Sequence, residues 1–281
     1  MCRHLGFCYP THSMTTSPSH KFGLDDLRAA RPAGRKLAML TCYDYTTACL
    51  MEQAKVPLIL VGDSAANVIL GYPSTIGIPL CFLIELTAAV RRGAPNAFLV
   101  ADMPFGSYHA STSSAMRHLC RMMGSGCDCI KMEVAPSHLK LVRRATDAGI
   151  PIMAHLGLRP QSVAVLGGYK VQGRAADAAS AIVDLAKQFQ DAGAVSILLE
   201  AVPSEVSEKV VQALHIPIIG CGAGPTCDGH VFVTHDALGL TPKAPRFAPH
   251  LADIATPLKE AFARYVKMVA SGEYPAGGQV Y

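Results

Sequence analysis

The sequence predicts an α/β fold, a single eight-stranded parallel (β/α)8 TIM barrel. Three observations carry this reading. Half of the 281 residues are hydrophobic and only 16% are charged. The apolar residues come in short runs, none near the roughly 20 needed to span a bilayer. Eight such runs alternate with segments of helical character, as right-handed βαβ units require. Their spacing, about 35 residues per unit, suits a barrel that typically closes in about 250 residues.

The first run, 37–43, leads into Tyr43-Asp44-Tyr45. A dinucleotide-binding open sheet would carry its glycine fingerprint there, so the doubly wound alternative is disfavoured. A helix is expected over 46–55, then a strand over 58–63 ending in Val61-Gly62-Asp63-Ser64. A helix over 83–92 precedes a strand over 97–103 with Ala101-Asp102-Met103-Pro104 at its end. Helix 112–123 precedes strand 129–134, which carries Ile130-Lys131-Met132-Glu133. Helix 137–148 precedes strand 151–158, which contains His155. Helix 175–192 leads to strand 196–201, with Leu199-Glu200 near its end. Helix 204–214 and strands 216–221 and 231–234 follow, and a last helix over 251–270 stops at Gly272. Gly124, Gly126, Gly149 and Gly193 fall where helix C-caps belong. Strands apolar on both faces are the mark of a parallel sheet. The reading is one barrel domain over 21–281 with a C-terminal helix.

Residues 1–20 are rich in Ser, Thr, His and Pro and contain no acid. They read as a disordered tail, or as sequence ahead of a later start at Met14. Lacking an apolar core they do not read as a secretory signal; an organelle presequence is the alternative. The formal net charge of +4 is scattered, aromatics make up 6%, and there is no Trp. This disfavours a nucleic-acid surface. Ten cysteines without a Cys-x-x-Cys pair read as free thiols filling the core. Free thiols fit a reducing cytoplasm, or a mitochondrial location if 1–20 is a presequence.

In a barrel the C-terminal strand ends carry the active site. Asp63, Asp102 and Glu133 stand one βα unit apart, so they should share one rim. Three close carboxylates repel, and an all-oxygen set of this kind suits Mg²⁺. Each acid alone could instead cap a helix or pair with a base. Lys131 should point the same way as Glu133. It is either a salt-bridge partner or a stabiliser of negative charge on a substrate oxygen. Glu200 has apolar flanks that would raise its pKa toward that of a general base. It could equally be a helix-start acid ahead of Pro203. The loop from Gly220 to Gly224 is a weak phosphate-cradle signal, and 167–174 reads as a flap over the site or as a surface turn.

Taken together these blocks resemble the ketopantoate hydroxymethyltransferase family. The likeness runs from about Leu37 to Gly239. It rests on Leu40-Thr41-Cys42-Tyr43-Asp44-Tyr45, Val61-Gly62-Asp63-Ser64, Ala101-Asp102-Met103-Pro104-Phe105, Ile130-Lys131-Met132-Glu133, the run from His155 to Ser162, and Leu199-Glu200-Ala201-Val202-Pro203. Departures at Ala65-Ala66-Asn67, Pro73, Cys81-Phe82, Leu86 and 278–281 lie away from the metal and base positions. The resemblance implies a barrel of the phosphoenolpyruvate mutase-like group. It implies Mg²⁺ near Asp63, Asp102 and Glu133, and contacts to the 2-oxoacid from Asp63, Ser64, Asp102, Lys131 and His155. It implies Glu200 as proton acceptor and a large homo-oligomer such as a homodecamer. The implied reaction moves a hydroxymethyl group from the co-substrate 5,10-methylenetetrahydrofolate to 3-methyl-2-oxobutanoate through a Mg²⁺-stabilised enolate, giving 2-dehydropantoate in pantothenate biosynthesis. Two alternatives are a related Mg²⁺-dependent 2-oxoacid C–C lyase or aldolase, and a catalytically silent paralogue.

Overall fold

The computed structural model describes residues 20–278. The expected tail at 1–20, His20 apart, and the start at Met14 lie outside the described residues. All eight expected runs form strands: β1 (Leu37–Thr41), β2 (Leu58–Val61), β3 (Phe98–Asp102), β4 (Cys129–Glu133), β5 (Ile152–Gly157), β6 (Ser196–Glu200), β7 (Ile218–Cys221) and β8 (Gly229–Phe232). Each pairs in parallel with the next, and β8 pairs with β1 to close the barrel. The helices are α1 (Leu24–Ala30), α2 (Tyr45–Gln53), α3 (Ala65–Val68), α4 (Leu80–Gly93), α5 (Thr112–Met123), α6 (Leu139–Asp147), α7 (Val163–Leu166), α8 (Ala176–Asp191), α9 (Ser204–Ala213), α10 (Thr234–Ala237) and α11 (Ala255–Ser271).

The two-residue period of a strand sorts the apolar side chains into two layers. Phe98, Val100, Cys129 and Met153 point inward and fill the barrel. Leu99, Ala101, Ile130 and Met132 point outward against the helices. Every residue of β2, β3 and β4 is buried, which explains their unbroken apolar character. Local chemistry fixes the helix ends. The Asp44 carboxylate accepts the Thr47 N–H at the start of α2, and Ser111 accepts the Ser114 N–H at the start of α5. Gly149 and Gly193, at φ +83° and +94°, follow α6 and α8 as left-handed caps.

Several boundaries differ from the sequence reading. Helix α1 was not expected, because seven residues are too few to show a periodic stripe. Its Leu27 and Ala30 are fully buried and plug the N-terminal end of the barrel. Strand β2 stops at Val61, so Asp63 stands on the loop beyond it. Strand β8 starts two residues early, at Gly229. A Cβ there would lie 2.5 Å from the Leu37 carbonyl oxygen, a close approach that hydropathy does not reveal. Helix α11 starts at Ala255 rather than 251 and buries none of its residues. Among the described residues no helix is long and apolar enough to cross a membrane. The eight described cysteines are free thiols; Cys42, Cys127, Cys129 and Cys227 are buried, whereas Cys81 and Cys120 are exposed.

Candidate active site

The strand alternation that fills the barrel also builds a polar floor above it. Asp102 follows Phe98 and Val100 on one face of β3, and Lys131 and Glu133 follow Cys129 on β4. His155 follows Met153 on β5. Register sets Asp102 beside Lys131 and Glu133 beside His155. All of them, with Asp63, Ser64 and Glu200, line one cavity of ≈ 870 Å³ at the C-terminal ends of the strands. A second depression of ≈ 570 Å³, between α6 and α8, holds none of the predicted residues.

The floor is a buried charge network. Lys131 Nζ donates to Asp102 Oδ1 at 2.6 Å, and the Asp63 backbone N–H donates to Asp102 Oδ2 at 2.9 Å. Burial alone would lower the Lys131 pKa, but Asp102, Asp63 and Glu133 together raise it, so the ammonium persists. Burial first, and the Asp102 charge second, push the Asp63 carboxyl up to about 7. Burial and the Asp63 charge push Glu133 up to about 9. Three carboxyl groups thus crowd a single ammonium, and burial with mutual repulsion holds two of them, Asp63 and Glu133, toward their protonated forms.

Hard oxygen donors crowded in this way fit a divalent cation of the Mg²⁺ type, whose charge would keep them ionised. Among the described residues, no three His, Cys, Asp or Glu side chains form a ready-made cage. Both Asp102 oxygens are already engaged, by Lys131 and by the Asp63 N–H. A cation here would therefore take part of its shell from the protein and the rest from substrate and water, which is the habit of Mg²⁺.

One residue the sequence did not single out organises the floor. Gln161, buried in the turn after β5, donates its side-chain Nε2 to Asp63 Oδ2 at 2.8 Å and to the Met103 carbonyl at 3.0 Å. Its backbone N–H reaches both Glu133 oxygens at 3.1 Å. Its own Oε1 accepts the Tyr108 hydroxyl at 2.8 Å. Only its place in the block from His155 to Ser162 marked it, since an amide in a turn carries no local signal of its own. The Tyr43 and Ser64 hydroxyls are hydrogen-bonded at 2.7 Å, which orients Ser64 at the cavity wall.

Glu200 ends β6 and is not a helix cap; its Oε2 lies 3.4 Å from His155 Nε2. Burial raises its pKa to about 7, and Lys131 opposes the rise. His155 is 1% exposed, and neither ring nitrogen has a hydrogen-bond partner among the described residues. Burial and the Lys131 charge hold its pKa well below the usual value, so the ring is neutral. The ring lines the cavity with the Glu200 carboxyl as its near polar neighbour.

The loops complete the cavity. Tyr169, Lys170 and Val171 of the expected flap line it, and the Gln172 N–H ties the flap to the Ala201 carbonyl at 2.9 Å. Residues 241–247, not expected at the site, form the other lip. The run from Gly220 to Gly224 is explained by packing: a Cβ on Gly222 would lie 2.6 Å from the Phe247 ring, and one on Gly224 2.3 Å from Ser204 Oγ.

Comparison with known proteins gives the family and the fold. A family model described as ketopantoate hydroxymethyltransferase matches residues 21–277. A 3-methyl-2-oxobutanoate hydroxymethyltransferase of Geobacillus kaustophilus is 47% identical over 247 residues, covering 87% of this chain and 88% of that protein. One from Acidothermus cellulolyticus is 46% identical over 260 residues, covering 92% and 96%. Among solved structures, phosphonopyruvate hydrolase in complex with oxalate and Mg²⁺ superposes with a TM-score of 0.62 at 16% identity, covering 91% and 92%. The 2,3-dimethylmalate lyase, a member of the PEP mutase/isocitrate lyase superfamily, does so at 0.59 and 15%, covering 92% and 91%. These two likenesses are of fold.

Proposed function

The chain belongs to the ketopantoate hydroxymethyltransferase family, and from that premise we propose how its cavity works. The activity is transfer of a hydroxymethyl group to 3-methyl-2-oxobutanoate, giving 2-dehydropantoate, a step of pantothenate biosynthesis. The observation that carries the residue assignment is the placement of Glu200 and His155, 3.4 Å apart, in one cavity with Asp63, Asp102, Glu133 and Lys131.

The one-carbon donor is 5,10-methylenetetrahydrofolate. Asp63, Asp102 and Glu133 are the residues that would hold Mg²⁺, directly or through water. Bound there, the ion supplies Lewis-acid polarisation of the oxoacid's carbonyl and carboxylate oxygens. The Ser64 hydroxyl, oriented by Tyr43, and the Lys131 ammonium hold the carboxylate end of the oxoacid. Glu200 takes the proton from C3, the carbon next to the ketone. A buried carboxylate with a pKa near 7 is well suited to that task. Lys131 and the neutral His155 N–H stabilise the negative charge that then develops on the ketone oxygen. The carbanion at C3 forms the new C–C bond to the methylene carbon of the folate. Water supplies the hydroxyl oxygen as both C–N bonds of that carbon break, and the proton taken by Glu200 and one from the water end on the two nitrogens of tetrahydrofolate. The flap at 167–174 stands over the site, where Tyr169, Lys170 and Val171 line the cavity.

Two further readings stand with this one. Helix α11 exposes Leu258, Phe262, Tyr265 and Val266, an apolar face that supports a large homo-oligomer. Free thiols throughout the described residues support a cytoplasmic location.

The test is hydron exchange at C3 of the oxoacid in D₂O, without folate, followed by an assay for ketopantoate with and without EDTA. The reading requires exchange that depends on Mg²⁺ and on Glu200, and product that depends on the folate. Exchange without folate-dependent product would favour a lyase or aldolase, and oxoacid binding without exchange a silent paralogue.

A further inference from the structure

The cavity is larger and differently charged at its mouth than a small oxoacid needs. At ≈ 870 Å³ it is of the size that takes a drug-sized ligand, and its acidic floor occupies only the deep end. Its rim has the opposite sign. Lys170 on the flap, and Lys243 and Arg246 on the opposite lip, all line the cavity and are exposed. None forms an ion pair with the described residues, whose salt bridges lie elsewhere. The one acid that lines the mouth, Asp236, accepts a hydrogen bond from the Thr241 hydroxyl. Between floor and rim stand two exposed aromatic rings, Tyr169 at 61% and Phe247 at 44%. Phe247 is held in place by its close packing over Gly222.

We propose that Lys170, Lys243 and Arg246 form a carboxylate-binding subsite for the glutamate tail of the folate donor, with Tyr169 and Phe247 flanking its ring system. This rests on the reading of the cavity given above. A reduced folate carries its one-carbon unit on the pteridine end and its carboxylates on the far end. The reacting carbon must meet the oxoacid at the floor, so the carboxylates must lie outward, where the cations stand. The same rim would engage additional γ-linked glutamates, since its two lips present cations on both sides of the opening. Three exposed cations around one opening favour an anionic group there without needing a deep pocket.

The test compares KM for 5,10-methylenetetrahydrofolate bearing one glutamate and bearing three, in the wild type and in the Lys243→Ala/Arg246→Ala double variant. Removing two exposed pairs should raise the donor KM roughly three- to twentyfold at low salt. The wild-type preference for the longer tail should shrink with it, and added salt should erode the wild-type advantage. Arg246→Lys should recover most of the effect, because position 246 is read here as charge rather than as a fork. C3 hydron exchange on the oxoacid alone does not involve the rim and reports that the variant is folded with an intact floor. An unchanged donor KM in the double variant, with exchange intact, would overturn the subsite while leaving the catalytic reading standing. A wild type that exchanges the oxoacid hydron but makes no folate-dependent product would overturn the donor assignment itself, and the subsite with it.

Discussion

Gly157 and Glu200 face one another across the β5–β6 ladder with no room for a side chain between them. A Cβ on Gly157 would lie 2.3 Å from the Glu200 carbonyl oxygen, and Gly157 has φ +88°. The catalytic strand end is therefore seated against bare backbone, and the residue after Glu200, Ala201, itself takes a positive φ of +46°. Gly157→Ala combines a steric clash with a strained dihedral. We expect it to cost about 2–4 kcal/mol in stability and to lower turnover by displacing Glu200, measured by thermal melting beside the exchange rate. A stable variant with wild-type exchange would show that the β5–β6 contact does not position the base.

Glu200→Gln keeps the size of the side chain and removes its basicity. Exchange at C3 in D₂O should fall by about 10²–10⁴-fold, while oxoacid binding, followed by calorimetry in the presence of Mg²⁺, stays within a few-fold of wild type. Retained exchange would mean that another group takes the proton.

The pKa of Glu200 sets a pH dependence for both rate and stability. It acts as a base only when ionised, so the exchange rate should rise with pH through about 7 and level off above it. For stability the sign is opposite. Its folded-state pKa is raised from 4.5 to about 7, so the folded protein holds a proton that the unfolded chain has lost. Stability contributed by the protonated form is present below about 4.5 and is lost as pH rises through about 7. The side chain keeps 19% exposure, so the loss should be about 2 kcal/mol at most rather than the full value of the shift. Glu200→Gln should flatten this part of the metal-free melting profile, and an unaltered pH profile in that variant would argue against the assignment.

Gln161 joins two acids of the floor through three hydrogen bonds. Gln161→Leu keeps similar bulk and removes the side-chain donor to Asp63. Mg²⁺ affinity should weaken about 10–100-fold, and the metal-free protein should lose about 1–3 kcal/mol from the Met103 carbonyl and Asp63 Oδ2, which both lose their donor. Titration with Mg²⁺ followed by melting temperature reads both effects; an unchanged Mg²⁺ response would restrict Gln161 to a packing role.

Mg²⁺ itself should raise the melting temperature, with the gain rising with its concentration as ligand linkage requires, and EDTA should remove it. Asp102→Asn should lose most of the gain and also release Lys131 from its only ion-pair partner among the described residues. A melting temperature indifferent to Mg²⁺ would place the cation elsewhere or nowhere on this chain.

The order of strands and helices was legible in the sequence because a parallel barrel needs runs apolar on both faces, and such runs leave an unmistakable spacing. The acids at the ends of runs two, three, four and six were legible for the same reason: Asp63, Asp102, Glu133 and Glu200 interrupt or close segments that are otherwise apolar. Lys131 and His155 followed from the two-residue period of their strands. What the sequence could not decide was set by contacts between residues distant along the chain. Gln161 ties Asp63 to Glu133, and Phe247 caps Gly222. Each of these depends on segments brought together only when the barrel closes, so no local period or propensity records them. The sequence alone determined which side chains share the inner face of a strand. The tertiary structure decided which turns lie above them, and with those turns the shape of the cavity and the sign of the charge at its mouth.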